Sequence, residues 1–239
     1  MMHFNRSKQE ENIYLSYHYP GMNVLKNKLD LRDPKDLEAA ELYFTEERLS
    51  QPLPKEAREL TYEGFLALHK HIFQDLYDWA GKPRNYTTGR GPIPFARPEN
   101  IETWMRQQFK KLEEYNFLRG LSKDEFAEKA AEIVNEINAA HPFIEGNGRT
   151  QRVWLGILAE QAGYKLVLTN QDRERWYEAS RIGFEKVDHK PMAALIRECL
   201  DREPQLMKEK RSIADRVNGA VKQAAEKQIT SKKRDDLVR

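Results

Sequence analysis

The sequence predicts an all-α fold, a helical bundle interrupted by one small β-hairpin, and three observations carry that expectation. Apolar residues recur at three- and four-residue spacing along most of the chain. Helix starts are marked by capping residues at Asp33, Thr61 and Ser122. Glycine and proline crowd into one stretch, Asn85 to Pro98, that cannot be helical. The 239 residues suit one domain of moderate size with some peripheral helix. About seven or eight helices are expected, with the β excursion at Thr87 to Ala96. The expected divisions are an N-terminal extension over 1–33, a core domain over 34–200 and a C-terminal helical extension over 201–239.

Met1 to Asn12 is polar and reads as frayed. Tyr14 to Leu31, with Pro20-Gly21 and several asparagines, reads as an irregular or hairpin segment over the core. Asp33-Pro34 is an N-cap followed by proline at the first helical position, and opens a helix to about Leu49 with Leu37, Ala40, Phe44 and Leu49 inward. After Pro52 and Pro54, Thr61 caps a helix to about Trp79 whose apolar face is Phe65, Leu68, Ile72, Phe73 and Leu76. His69 and His71 lie two apart on it and face different directions, so they read as hydrogen-bonded or solvated side chains and not as a shared metal site.

Pro98 opens a helix through about Phe117, and Arg119-Gly120-Leu121 turns into the next one. That helix begins with a Ser122/Glu125 capping box, buries Phe126, Ala130, Ile133, Val134 and Ile137, and stops near His141, because Pro142 disfavours the α region for the residue before it. Trp154, Leu155, Leu158 and Ala162 mark the helix after the loop, with Gly163 as its stop. Tyr164 to Leu168 reads as extended. Two helices follow, Asp172 to about Lys186 and Pro191 to Leu200, and Trp176 and Tyr177 on the first serve either core packing or the wall of an adenine pocket. Ile213, Val217, Val221 and Ala224 place a further helix in the tail.

Composition excludes several classes. The net charge of +2 gives no global basic field for nucleic acid, and Lys232-Lys233-Arg234 is followed at once by Asp235-Asp236, so a nucleic-acid or membrane patch is not expected there. No long apolar run is present, which argues against a Sec signal or membrane span and for a reducing cytosol. The single cysteine, Cys199, cannot form an internal disulfide and reads as packing.

The chemistry concentrates in His141-Pro142-Phe143-Ile144-Glu145-Gly146-Asn147-Gly148-Arg149-Thr150-Gln151-Arg152. Gly146-Asn147-Gly148 ahead of a helix allows positive φ and turns backbone N–H groups toward one point, where the helix dipole also favours an anion. Arg149 and Arg152, three apart, share a face and can reach neighbouring phosphates. Glu145 at the mouth of such a site would repel phosphate unless Mg²⁺ bridged them. His141 at the other rim can take a proton from an incoming hydroxyl.

This run resembles the signature of the Fic (FIDO) family, His-Pro-Phe-x-Asp/Glu-Gly-Asn-Gly-Arg-x-x-Arg, with every fixed position filled. Tyr77-Asp78-Trp79-Ala80-Gly81-Lys82-Pro83-Arg84 resembles the family's Trp-Ala-Gly-x-x-Arg turn. Tyr17, Tyr19, Pro20, Leu25, Lys26, Asn27 and Lys28 resemble the segment ahead of the Fic core in secreted effectors such as those of Bartonella, whose cores are followed by further domains. The resemblance implies a Fic domain that transfers AMP from ATP to a Tyr, Thr or Ser hydroxyl of a target protein, in the manner of bacterial effectors and toxins. It makes His141 the base, Phe143 a core anchor and Glu145 the Mg²⁺ ligand. Nucleotide binding falls to Gly146, Asn147, Gly148, Arg149, Thr150, Gln151 and Arg152, with Arg152 on the terminal phosphate. The hairpin becomes a flap on which the target adds backbone pairing, with Thr88, Gly89, Arg90, Gly91, Ile93 and Phe95 positioning it.

Implied partners are a target such as a small GTPase and a small antitoxin-like protein whose glutamate reaches Arg152, and the implied location is the bacterial cytoplasm, with a non-Sec route into a host cell. Ser7-Lys8-Gln9-Glu10-Glu11-Asn12 fits the family's inhibitory pattern loosely, with Glu11 as its glutamate. Alternatives on the same loop are transfer of UMP, phosphate or phosphocholine, removal of AMP, and a nucleotide- or partner-binding module without turnover. Phosphate transfer of the Doc kind goes with a lysine where this chain has Gly148.

Overall fold

The computed structural model describes residues 6–202. The helix expected within the C-terminal extension and the first five residues lie outside that range. Within it the chain is mostly helical: α1 Lys8–Ser16, α2 Pro34–Ser50, α3 Tyr62–Phe73, α4 Pro98–Glu114, α5 Lys123–Ala140, α6 Asn147–Gln161, α7 Arg173–Lys186 and α8 Lys190–Asp201, with one antiparallel hairpin, β1 Gly89–Arg90 and β2 Ile93–Pro94. The hairpin pairs Gly89 with Pro94 and Arg90 with Ile93. Among the described residues no helix is long and apolar enough to cross a membrane.

The fold is organised around α5. Its start is the expected capping box, in which Ser122 accepts from the Glu125 amide and the Glu125 carboxylate accepts from the Ser122 amide and hydroxyl. Its residues Phe126, Ala130, Val134 and Ile137 are fully buried, and α4, α6, α7 and α8 pack around it. Helix α3 packs on α6 and α4 with most of its residues buried, and α2 packs on α3. The expected caps appear at Asp33, whose carboxylate accepts from the Lys35 amide at 2.8 Å, and at Thr61, whose hydroxyl accepts from Gly64 at 3.0 Å.

Several expectations are corrected. Lys8–Ser16 is a helix and not a frayed end: Ser7 and Glu10 form a capping box, and a carboxylate oxygen of Glu10 accepts from both the amide and the hydroxyl of Thr87 while Arg6 donates to the Thr87 carbonyl at 2.7 Å. Those contacts supply what a nine-residue helix lacks alone. Helix α3 stops at Phe73; the apolar pattern runs on because Leu76 and Tyr77 remain buried in the turn that follows. Helix α4 ends at Glu114, where Asn116, Phe117 and Leu118 all take positive φ. Leu49 faces outward. His69 and His71 are both buried, and they point apart: His71 Nε2 donates to the Arg48 carbonyl at 2.9 Å, whereas His69 turns to the loop after α5.

Candidate active site

The loop between α5 and α6 is held by its own residues first. His141 caps α5 with φ 43° and ψ 60°, so the residue before Pro142 leaves the right-handed α region, as expected, by taking a left-handed conformation. Asn147 then closes the loop: its side-chain oxygen accepts from the Phe143 amide at 2.9 Å and its side-chain nitrogen donates to the Phe143 carbonyl at 2.8 Å. Gly146 precedes α6 with φ 83°, and a Cβ there would lie 2.3 Å from the Phe73 ring, so both backbone and packing require glycine. The amide and hydroxyl of Thr150 both donate to the Gly146 carbonyl at 3.0 Å.

A second layer fixes the loop from outside. The Phe143 ring is fully buried and stacks on His69 at 3.7 Å between centroids and on Phe65 at 5.6 Å. His69 Nδ1 accepts from the Gly81 amide at 2.9 Å, which assigns the proton to Nε2, and Nε2 donates to the Glu145 carbonyl at 3.0 Å. Burial pushes this imidazole down to about 3, with the nearby Arg149 cation adding to it, so it stays neutral. The Trp-Ala-Gly turn is thereby tied to the carboxylate-bearing end of the loop.

Arg84 ties the other end. Its Nε donates to the His141 carbonyl at 2.7 Å, Nη2 to Ala140 at 3.0 Å and Ala96 at 2.5 Å, and Nη1 to Tyr86 at 2.8 Å, while its own amide donates to Pro142 at 2.8 Å. A buried guanidinium thus meets the orphan carbonyls at the negative end of α5 and fastens the end of the hairpin to the same point. Burial brings Arg84 down to about 10, which leaves it charged at neutral pH.

His141 lies flat on Phe95, centroids 4.0 Å apart and planes 4° from parallel, and Phe95 in turn meets Phe184 at 4.6 Å. Burial, then the positive fields of Arg84 and Arg90, bring the imidazole down to about 3. A ring neutral at physiological pH can accept a proton. Its Nδ1 is buried without a well-formed hydrogen bond, as is Nη1 of Arg90, whose guanidinium lies 4.8 Å from the Tyr177 ring centroid.

On the far side of the loop, Arg149 is less free than the sequence implied. Its Nη2 donates to Glu41 Oε2 at 2.5 Å and to Glu145 Oε1 at 3.1 Å, and its guanidinium sits over the Phe73 ring at 4.7 Å. Glu145 Oε1 also accepts from the Gly146 amide at 2.7 Å. Arg152 makes no ion pair among the described residues; burial, then the cations of Arg149 and Arg173, lower it to about 10. A guanidinium in that position is a receptor for an anion.

The structure therefore gathers His141, Glu145, Gly146, Gly148, Arg149 and Arg152 at one loop, and it relocates others. Thr150 and Gln151 are buried, with the Thr150 hydroxyl bonded to the Gly146 carbonyl and the Gln151 amide without a hydrogen-bond partner among the described residues, and the Asn147 side chain is bonded to the Phe143 backbone. Phe95 is the floor beneath His141 and is not displayed on the hairpin, whereas Thr88, Gly89, Arg90, Gly91 and Ile93 remain partly or well exposed. Trp176 is core. Glu11 pairs with Arg6 at 3.2 Å and not with Arg152. Sequence reasoning missed Glu41 altogether. Arg84 is marked in the sequence only as the end of the Trp-Ala-Gly-x-x-Arg turn, and spacing names no partner for His69.

A profile of the Fic/DOC family matches residues 59–159. The chain is 40% identical over 180 residues to a probable protein adenylyltransferase, y4lH, of Sinorhizobium fredii, covering 75% of this chain and 92% of the relative. It is 34% identical over 171 residues to the probable protein adenylyltransferase Fic of Escherichia coli, covering 70% and 83%. The crystal structure of the VirB-translocated effector BepC of Bartonella tribocorum, with bound AMPPNP, superposes with a TM-score of 0.70 at 26% identity, covering 79% of this chain and 98% of that one. With the signature run folded as a helix end, a glycine turn and a helix start, and with relatives aligned over most of their length, this chain belongs to the Fic/DOC family.

Proposed function

We propose that this chain is a protein adenylyltransferase that moves AMP from ATP onto a hydroxyl side chain of a target protein. The observation that carries the reading is the meeting, at one loop, of a neutral imidazole at a left-handed helix end with a glycine turn and two arginines, one of them unpaired among the described residues. The similarity to adenylyltransferases over most of the chain supports it.

In this reading the target's oxygen attacks the α-phosphorus and gives its proton to His141. The new O–P bond replaces the one to the β-phosphate, and pyrophosphate leaves. The turn from Gly146 to Gly148, at the N-terminus of α6, supplies backbone N–H groups and the positive end of the helix dipole, with the Gly146 amide joining once Glu145, which it now bonds, turns away. Arg149 and Arg152 meet the charge that builds on the leaving group, and most of the rate comes from positioning and neutralisation. The exposed Ile93 and the half-buried Arg90 of the hairpin bear on the choice of target; Pro94 lacks an amide, which limits backbone pairing there.

A magnesium ion fits the donor set. Glu145 is half exposed and, among the described residues, has only one oxygen engaged, and no three His, Cys, Asp or Glu side chains there gather as a closed metal cage. That is the pattern of a metal held by one carboxylate and by phosphate oxygens, and Glu145 would hold it. When bound, it would neutralise phosphate charge.

Because Arg152 has no carboxylate partner among the described residues and Glu11 is engaged by Arg6, an inhibitory glutamate supplied by a separate small protein fits better than one from α1. Incubation of a lysate with ATP labelled on either the α- or the γ-phosphate tests the reading. Label is expected in protein from the α-position alone, and to be lost in His141→Ala. Label from the γ-position would replace the reading with phosphate transfer.

A further inference from the structure

We propose that Glu41 is a positioning residue for Arg149: it holds the guanidinium in the orientation that receives the nucleotide's phosphates. The inference rests on the nucleotide-binding part of the adenylyltransferase reading and adds to it a residue from α2, which lies outside the matched 59–159 segment and 108 positions from its partner.

Both oxygens of Glu41 are committed. Oε2 accepts from Arg149 Nη2 at 2.5 Å, and Oε1 accepts from the hydroxyl of Tyr77. Tyr77 is itself buried and stacked on Trp79 at 4.3 Å, and burial together with the Glu41 charge holds its proton far above the ordinary phenol range, so it remains a donor. The Glu41 side chain is only 13% exposed, against 46% for Glu145.

The two carboxylates on Arg149 are therefore unequal. Glu145 is the outer one, with one oxygen shared between Arg149 and its own turn, and it can leave Arg149 for another cation. Glu41 has no such freedom. Both bind the same nitrogen, Nη2, while the Phe73 ring covers one face of the guanidinium, so Nε and Nη1 keep donors that no described residue takes. Glu41 fixes the rotation of a side chain that otherwise has many rotamers, and pre-orders it before an anion arrives.

An opposed role is physically possible, because a carboxylate beside a phosphate site also repels the ligand. If Glu41 were mainly a competitor, removing it would free Arg149 and increase the arginine's contribution to binding. If it is a positioner, removing it wastes the arginine.

A double-mutant cycle read by calorimetry separates the two, with magnesium and a non-hydrolysable ATP analogue as the titrant. Arg149→Ala is expected to weaken binding about tenfold or more when Glu41 is present, as for a charge-assisted hydrogen bond, and by less than about threefold in Glu41→Gln. Glu41→Gln is isosteric and keeps an acceptor for Tyr77. Tyr77→Phe, which removes the group that aims Glu41, is expected to act in the same direction and more weakly, and thermal melts check that each variant is folded. An equal or larger effect of Arg149→Ala in the Glu41→Gln background overturns the proposal. A wild-type protein that binds the analogue but transfers no AMP would sink the transfer reading and leave this one standing; a wild-type protein that binds no nucleotide sinks both.

Discussion

The imidazole of His141 rests face to face on the ring of Phe95, 4.0 Å between centroids. An aromatic contributed by the end of the hairpin thus keeps water from one face of the proposed base. Phe95→Ala is expected to hydrate the imidazole and raise it from about 3 toward its ordinary value near 6.5. Because the ring works as a base only above its pKa, the acid limb of the pH–rate profile should move to higher pH. An NMR titration of the His141 ring that shows no upward shift would refute this.

His69 makes a separate prediction about stability. Its pKa is about 3 in the fold and near 6.5 when unfolded, so between those values the unfolded chain binds the extra proton and stability falls as pH falls. Above about 6.5 the term is fully favourable; below it the loss approaches about 1.4 kcal/mol per pH unit for a fully buried group. His69→Gln can still accept from Gly81 and donate to the Glu145 carbonyl. It is expected to flatten the dependence of urea midpoint on pH between 6.5 and 4, and an unchanged slope would show that other groups carry it.

Arg84 bonds four backbone carbonyls from one buried side chain. Arg84→Met keeps bulk but orphans acceptors at the end of α5 and at the hairpin, and should cost about 3 kcal/mol or more in denaturant unfolding. Arg84→Lys recovers only part, since an ammonium cannot span the same fork. A loss under about 1 kcal/mol would mean that water replaces the guanidinium freely.

Gly146→Ala combines a positive φ with a Cβ 2.3 Å from the Phe73 ring. Each alone costs on the order of 1–3 kcal/mol. Adding Phe73→Leu removes the steric part and leaves the backbone part, so the double variant is expected to melt higher than Gly146→Ala alone. If it melts no higher, the ring is not the obstacle.

What the chain spells out locally is what its sequence determined. The Ser122/Glu125 box, the apolar stripe of α5, the glycine at the turn and the run from His141 to Arg152 all act within a few residues, where spacing translates directly into geometry. The all-α bundle with its short hairpin was legible for the same reason. The supports of the loop were not, because each joins residues far apart in the chain: Glu41 with Arg149, His69 with Glu145 76 positions on, Arg84 with His141 57 positions on, and Phe95 beneath the imidazole. Helix α1 belongs with them, since its capping box was written in the sequence but its order depends on Thr87. Periodicity records which face of a helix is apolar and carries no record of which distant polar group that face will meet. Only packing decides that, and with it whether an arginine is a free cation or one already held in place.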